Sequence, residues 1–566
     1  MKTTYKTIVI FILLSCTVKY ATAQKAYELA PNYYLLYFTD KNGNGYQTGK
    51  PEDFLSERAI MRRKKQLIAI NESDLPVNRS YTDSLSKLDL KIHNISKWFN
   101  AVCVYSTNKA LIDTLNRISF ISFEPKNNPV FTMQNNVFKN LPAIENEAKK
   151  TTDDYILYGA AGEQIDLLNG RALHLAGFRG NNVLVGIFDG GFVNVNRNAS
   201  FANLANGRII ATRDFVDGGK NVFVFSDHGT KVLSTISTNL PGEFIGTAPM
   251  ASFVLCRTEN TLSEYRIEEF NWLCAAEYAD SIGVQLINSS LGYSEFDDEN
   301  QHYTYQQMNG NSTIISRAAN LLASKGVVII TSAGNSGSSN WHYITAPADA
   351  VQALSVGAIE MNGEKASFSS FGPSASGMVK PDVVAPGQAV AVIGSSGTVN
   401  FSSGTSFASP ILAGLAACLI EAFPNASNTD ILNAIRQSSN KFSSPDSGVG
   451  YGLPSFSDAF EILKNNNFSP ELSGALLAPI PNPFIDNLDI FLVSKSGNAV
   501  FNSFDSIKVE ILTLHGKPIV TEIISKSEFM NYKKNLQGLS HLSTGIYFAK
   551  ISSGNNAFMF KILKTN

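Results

Sequence analysis

The sequence predicts an α/β protein: a mainly parallel β-sheet between layers of helices, with an α+β unit before it and a small all-β unit after it. Three observations predict this. Between residues 155 and 463, short apolar runs alternate with helical patterns, as in parallel strands joined by crossover helices. Within that stretch, residues 183–188, 284–287 and 327–331 are mainly apolar, as expected of buried strands. Beyond the asparagine run 465–467, the pattern changes to alternating strands separated by turn residues.

A chain of 566 residues is too long for a single core, and three or four units are expected. With 44% hydrophobic and 17% charged residues the composition is globular, and a net charge of −2 gives no electrostatic basis for nucleic-acid binding. The only basic run, Arg62-Arg63-Lys64-Lys65, reads as a solvated helix face. The five cysteines (Cys16, Cys103, Cys256, Cys274 and Cys418) are sparse and apolar in context. Cys16 would leave with the N-terminal segment and Cys103 lies in the unit 24–150; the remaining odd set, Cys256, Cys274 and Cys418, reads as buried thiols, not as a disulfide framework or zinc site.

In chain order, residues 1–23 read as a signal peptide. Lys2 and Lys6 precede an apolar run too short to span a bilayer, and Ala21-Thr22-Ala23 supplies the small-residue cleavage pattern. A lipobox-like reading of Leu13-Leu14-Ser15-Cys16 is the alternative. Residues 24–150 carry a strand-like run at 33–38 and a helical stretch at 54–66, and the polar segment 145–154 reads as an exposed linker. Residues 155–463 form the α/β unit. Its helix at 411–423 is apolar but short, so it reads as a core helix and no stable membrane span is expected. Residues 464–470 form a second linker, and 471–566 the all-β unit, with strands near 488–493, 507–512 and 546–551.

Each buried strand ends where a motif begins: Phe188-Asp189-Gly190-Gly191, Ser289-Ser290-Leu291-Gly292 and Ser332-Ala333-Gly334-Asn335. Open α/β sheets bind ligands outside the carboxyl ends of their strands, so the three motifs point to one sheet edge. Two further segments, Asp227-His228-Gly229-Thr230 and Gly404-Thr405-Ser406-Phe407-Ala408-Ser409-Pro410, open helical patterns. Taken singly, Asp-Gly, His-Gly and Gly-Asn are most often turns. Together they supply what a serine nucleophile needs: a histidine to take its proton, a carboxylate to orient that histidine, and donors for the developing oxyanion. The order Asp, His, Ser differs from the His, Asp, Ser of chymotrypsin-like enzymes. It also differs from the Ser, Asp/Glu, His of α/β-hydrolases, so the near match to Gly-x-Ser-x-Gly at 404–408 is not an esterase signature.

That order, and the wording around each residue, resembles the subtilisin-like serine proteases (subtilases). Supporting phrases are Gly246-Thr247-Ala248-Pro249 and Lys380-Pro381-Asp382-Val383-Val384-Ala385-Pro386-Gly387. The resemblance implies a subtilisin-like three-layer fold. It also implies Ser406 as nucleophile, His228 as general base and acid, Asp189 as its orienter, and Asn335 with the Ser406 N–H as the oxyanion hole. Ser290, Leu291, Gly292, Ala333 and Gly334 match segments that line the substrate cleft, the glycines leaving room for a large side chain. Gly190 departs from the Ser or Thr usual after the aspartate, and Leu233 from the small residues usual in the histidine helix.

No cofactor is expected for catalysis. Calcium is common in the family, but no ligand set is readable, and Asp297, Asp298 and Glu299 read as a solvated loop. The position of 24–150 resembles a propeptide, a separate accessory domain being the alternative. Ile480-Pro481-Asn482-Pro483-Phe484, the segment 509–517 and Leu542-Ser543-Thr544-Gly545-Ile546-Tyr547-Phe548 resemble the C-terminal sorting domain of type IX secretion substrates. A carbohydrate-binding or adhesive β-sandwich is the alternative there. The resemblances together imply a serine endopeptidase made as a zymogen. It would act on peptides or proteins, engage the type IX secretion machinery, and reach the medium or cell surface through the periplasm of a Gram-negative bacterium. A tripeptidyl-type exopeptidase and an inactive binding protein on the same fold are the alternatives.

Overall fold

The computed structural model describes residues 25–125, 130–132, 158–205, 207–466 and several strand-bearing pieces between 478 and 565. The expected signal peptide, the linker 145–154, the segment 467–470 and the motif residues 481–484 lie outside the described residues.

The central sheet has seven strands, all paired in parallel. Their order across the sheet is Val383–Pro386, Leu354–Ile359, Val328–Ser332, Leu286–Ser289, Leu184–Asp189, Ser252–Arg257 and Ile209–Asp214. Strand order reverses where Leu184–Asp189 lies beside Leu286–Ser289, with Ser289 paired to Phe188. The carboxyl ends flanking such a reversal diverge and leave a crevice. Asp189 and Ser290 both emerge there.

The strand Leu184–Asp189 shows why both faces are covered. Val185 and Ile187 pack into the core on the side of the helices His228–Ser237 and Thr405–Ala422. Leu184 and Phe188, on the opposite face by strand alternation, join the core under the helices Ile267–Ile282 and Ile314–Ser324. Every residue of Thr405–Ala422 is buried. It is long and apolar enough by composition to cross a membrane, yet here it is the core helix of the α/β unit. It begins six residues before the expected apolar run and takes in Ser406 and Pro410. Cys103, Cys256, Cys274 and Cys418 are free and buried.

The N-terminal unit is an antiparallel sheet ordered Tyr27–Ala30, Tyr33–Phe38, Ala101–Tyr105, Lys91–Ser96, with Ile121–Ser122 also pairing with Tyr33–Phe38. Alternation again divides its side chains. Tyr34, Leu36, Phe38, Val102 and Val104 form its own core, while Leu35, Tyr37, Ala101 and Cys103 join the core of the α/β unit. The expected solvated face at 62–65 is corrected here. Only Lys64 and Lys65 are exposed; Arg62 and Arg63 are buried and both contact Asp280 of the helix Ile267–Ile282, at 2.5 and 2.7 Å. Arg63 also pairs with Asp74 at 2.8 Å, and Lys325 with Asp74 at 3.1 Å. A buried guanidinium needs such partners, because an unpaired charge out of water is costly. Glu277 of the same helix accepts hydrogen bonds from the Ser96 hydroxyl and the Lys97 and Trp98 amides.

At the C-terminus, two antiparallel sheets share one core. Leu488 and Leu536 from the first meet Ile507, Val509, Ile511, Ala549, Ile551 and Ile562 from the second, which makes a small β-sandwich.

Candidate active site

Asp189 is the last residue of its strand and fully buried. One of its oxygens accepts the Gly190 amide at 2.8 Å, and both lie against His228 Nδ1, at 2.9 and 3.0 Å. His228 is the first residue of its helix. Gly229 allows the close approach: a Cβ there would meet the Gly191 carbonyl at 2.4 Å and the Asp189 side chain at 2.9 Å. Burial alone would lower the His228 pKa. The charge and hydrogen bond of Asp189, with Glu259 nearby, outweigh that and raise it to about 8. The side chain keeps 35% of its surface exposed, so solvent screens part of this effect.

Ser406 is the second residue of the buried helix, so its own N–H is one of the first-turn donors without an intrahelical acceptor. Phe407 packs its ring 5.7 Å from that of His228. The Ser406 hydroxyl donates to the Ser290 carbonyl at 3.3 Å, and no hydrogen bond joins it to the imidazole. Such contacts are often long before substrate binds.

Pro410 lies inside the helix. Having no N–H, it leaves the Ser406 carbonyl without its usual i+4 donor. The Ser290 hydroxyl fills that role at 2.8 Å. Its direction is imposed by a buried chain: Ser409 donates to Asn288 at 2.7 Å, and the Asn288 amide donates to the Ser290 hydroxyl at 3.0 Å.

Asn335 is exposed at the cleft. Its side-chain oxygen accepts from the Thr405 amide and hydroxyl, both at 2.9 Å, which leaves the amide NH2 as the group available to a ligand. That nitrogen would lie 3.6 Å from a Cβ at Gly404, two residues before Ser406.

The expected cleft-lining segments divide in two. Among the described residues, the Leu291 and Gly292 amides make no hydrogen bond, and Gly292 is exposed. Ala333 and Gly334 are committed: their amides donate to Val356 and Thr405, and their carbonyls accept from Thr345 and Ser370. The room expected beside the two glycines is also filled. A Cβ at Gly292 would meet the Thr345 hydroxyl at 2.1 Å, and one at Gly334 would meet it at 2.8 Å. The glycines therefore admit Thr345 between them instead of opening a large pocket. Thr345 gave no signal in the sequence, since its neighbourhood is set by chain far from it.

Gly190 finds its reason in the same way. A Cβ there would lie 2.6 Å from Thr261 and 3.0 Å from the Glu259 carboxylate. The loop after the strand Ser252–Arg257 is thereby drawn over Asp189, to whose carbonyl the Thr258 amide donates.

The chain is similar in sequence to known proteins. Residues 180–452 match the subtilase family (peptidase S8), residues 33–140 the peptidase S8 propeptide domain of Bacteroidota, and residues 480–565 a secretion system C-terminal sorting domain. The chain is 30% identical to subtilisin DY of Bacillus licheniformis over 274 residues, covering 48% of this chain and 88% of that one. It is 28% identical to alkaline elastase YaB of a Bacillus species over 295 residues, covering 52% and 67%. It is 29% identical to subtilisin E of Bacillus subtilis over 276 residues, covering 47% and 63%. Among solved structures, MycP1 from Mycobacterium smegmatis aligns at 23% identity with a TM-score of 0.42, over 53% of this chain and 84% of that one.

Proposed function

The chain belongs to the subtilase family of serine proteases, and from that premise we propose that it is an endopeptidase in which Ser406 attacks the scissile carbonyl. His228 takes the hydroxyl proton and later delivers it to the leaving amine, while Asp189 holds the imidazole tautomer. The tetrahedral oxyanion is received by the Asn335 amide and the Ser406 N–H. The observation that supports this reading is the buried Asp189 with both oxygens on His228 Nδ1, which leaves Nε2 as the ring nitrogen not engaged by Asp189, on an imidazole packed beside Phe407 of the Ser406 helix. Substrate would lie extended along 290–292, pairing with the free amides there.

The test is a fluorophosphonate label. It should attach to Ser406, be absent from Ser406→Ala, and leave that variant folded but without peptide hydrolysis. Equal activity of variant and parent would sink the assignment. Internal cleavage of blocked peptides separates an endopeptidase from a tripeptidyl-type enzyme.

The N-terminal unit would act as a propeptide removed by the enzyme itself, and 471–566 as the export signal. Deleting 470–566 should leave peptidase activity but hold the protein in the periplasm of a Gram-negative host. Normal release of the truncated protein would favour a binding role for the C-terminal sandwich.

A further inference from the structure

Beside Asp189, on the rim of the cleft, three glutamates converge that no step of the proposed reaction uses. The carboxylate oxygens of Glu259, Glu264 and Glu268 lie within 4.8 Å of one another. We propose that Glu259, Glu264 and Glu268 bind a divalent cation of the calcium class.

The spacing fits the ligand. Calcium takes carboxylate oxygens at about 2.3–2.6 Å in irregular geometry, so two ligands on opposite sides of one ion stand about 5 Å apart. Transition metals would favour nitrogen or sulfur donors, and none is among the three.

Glu268 gives an independent reason. It is 1% exposed, and no donor reaches either carboxylate oxygen in hydrogen-bond geometry. The nearby Tyr265 and Asn260 amides only soften the penalty of its burial. The Tyr293 hydroxyl, also 1% exposed and without a partner, feels the field of the same three carboxylates. Two buried oxygen-bearing groups with nothing to bind are costly unless a cation completes the site.

The surroundings are acidic. Asp297 accepts from the Glu264 amide and adds its charge, and Glu269 and Asp189 add theirs. His228 is the only positive group shown acting on Glu259, and among the described residues no lysine or arginine pairs with any of the three. Glu259 and Glu264 are half-buried, so an ion can enter from solvent. Gly190 belongs to this arrangement, because a Cβ there would press on the side chains of Thr261 and Glu259.

The test uses the full chain carrying Ser406→Ala, which prevents self-digestion, stripped of metal and titrated with calcium by calorimetry and thermal melting. One equivalent should bind and raise Tm. Glu264→Gln and Glu268→Gln should each weaken that binding at least tenfold and remove the Tm shift. If either variant fails to fold, terbium luminescence in the parent serves instead. Emission sensitised by Tyr293 should be displaced by calcium and reduced in Tyr293→Phe. The proposal is overturned if the parent takes up no calcium, if both glutamine variants bind it unchanged, or if Tyr293→Phe leaves the emission untouched. It is also overturned if active enzyme takes up no calcium yet shows a preference for lysine or arginine in substrates that Glu264→Gln abolishes. A substrate side chain would then occupy the site.

Discussion

Ser290 and Ser406 are joined twice: the Ser290 hydroxyl donates to the Ser406 carbonyl at 2.8 Å, and the Ser406 hydroxyl donates to the Ser290 carbonyl at 3.3 Å. The first bond exists because Pro410 cannot supply the helical N–H. It ties the helix bearing the proposed nucleophile to the end of the strand Leu286–Ser289.

Replacing Ser290 with alanine leaves the Ser406 carbonyl buried without a donor, and should cost about 1–3 kcal/mol of stability and lower kcat. Pro410→Ala restores an N–H within helical reach. Combined with Ser290→Ala it should recover most of the stability, read as a coupling energy in urea unfolding. Strictly additive losses would show that the carbonyl finds water or another donor.

Asn335→Leu should lower kcat by about 10²–10³ with KM little changed, the size known for such a donor in a subtilisin. Thr405→Val should produce a smaller loss of the same kind, since Thr405 fixes which end of the amide faces the cleft. An effect confined to KM would make Asn335 a substrate-positioning group instead.

The proposed base works only when His228 is neutral, so kcat/KM should rise with pH to a limb near 8 and fall about tenfold per unit below it. The sign for stability is opposite. A pKa raised by folding contributes stability that is fully present below the unfolded value of about 6.5, and that is lost as pH rises through about 8. High salt should move the limb down, because the ring is partly exposed. A limb below 6.5 in low salt would contradict the Asp189 pairing as the dominant influence.

Thr345→Gly empties the space between Gly292 and Gly334. A peptide-library profile should then shift toward aromatic residues before the cleaved bond, by about tenfold or more relative to alanine. An unchanged profile would place the specificity pocket elsewhere.

Asp280→Asn removes the counter-charge of two buried arginines, Arg62 and Arg63, and should cost about 3–5 kcal/mol. Asp83→Asn is the control. Its pair with Arg79 is exposed at the surface, so unfolding of the Ser406→Ala chain should barely change.

The sequence by itself determined the layered architecture and placed the motifs of Asp189, Ser290 and Asn335 at or just beyond strand ends, with Asp189, His228 and Ser406 as the proposed triad in that order. These are chain-local signals: an apolar run, a period, a motif where a strand stops. Tertiary structure decided which groups answer one another. Arg62 and Arg63 read as a wet helix face until Asp280, more than two hundred residues away, takes them inside. Gly292 and Gly334 read as an open pocket until Thr345 stands between them. Gly190 read only as a departure from the usual Ser or Thr until the side chains of Glu259 and Thr261 were seen to occupy the space beside it. Glu259, Glu264 and Glu268 gave no pattern along the chain, because the turn into the helix Ile267–Ile282 alone brings them together. A buried polar group is stabilised only by the partner that reaches it, and that partner is fixed by packing, not by neighbours in sequence.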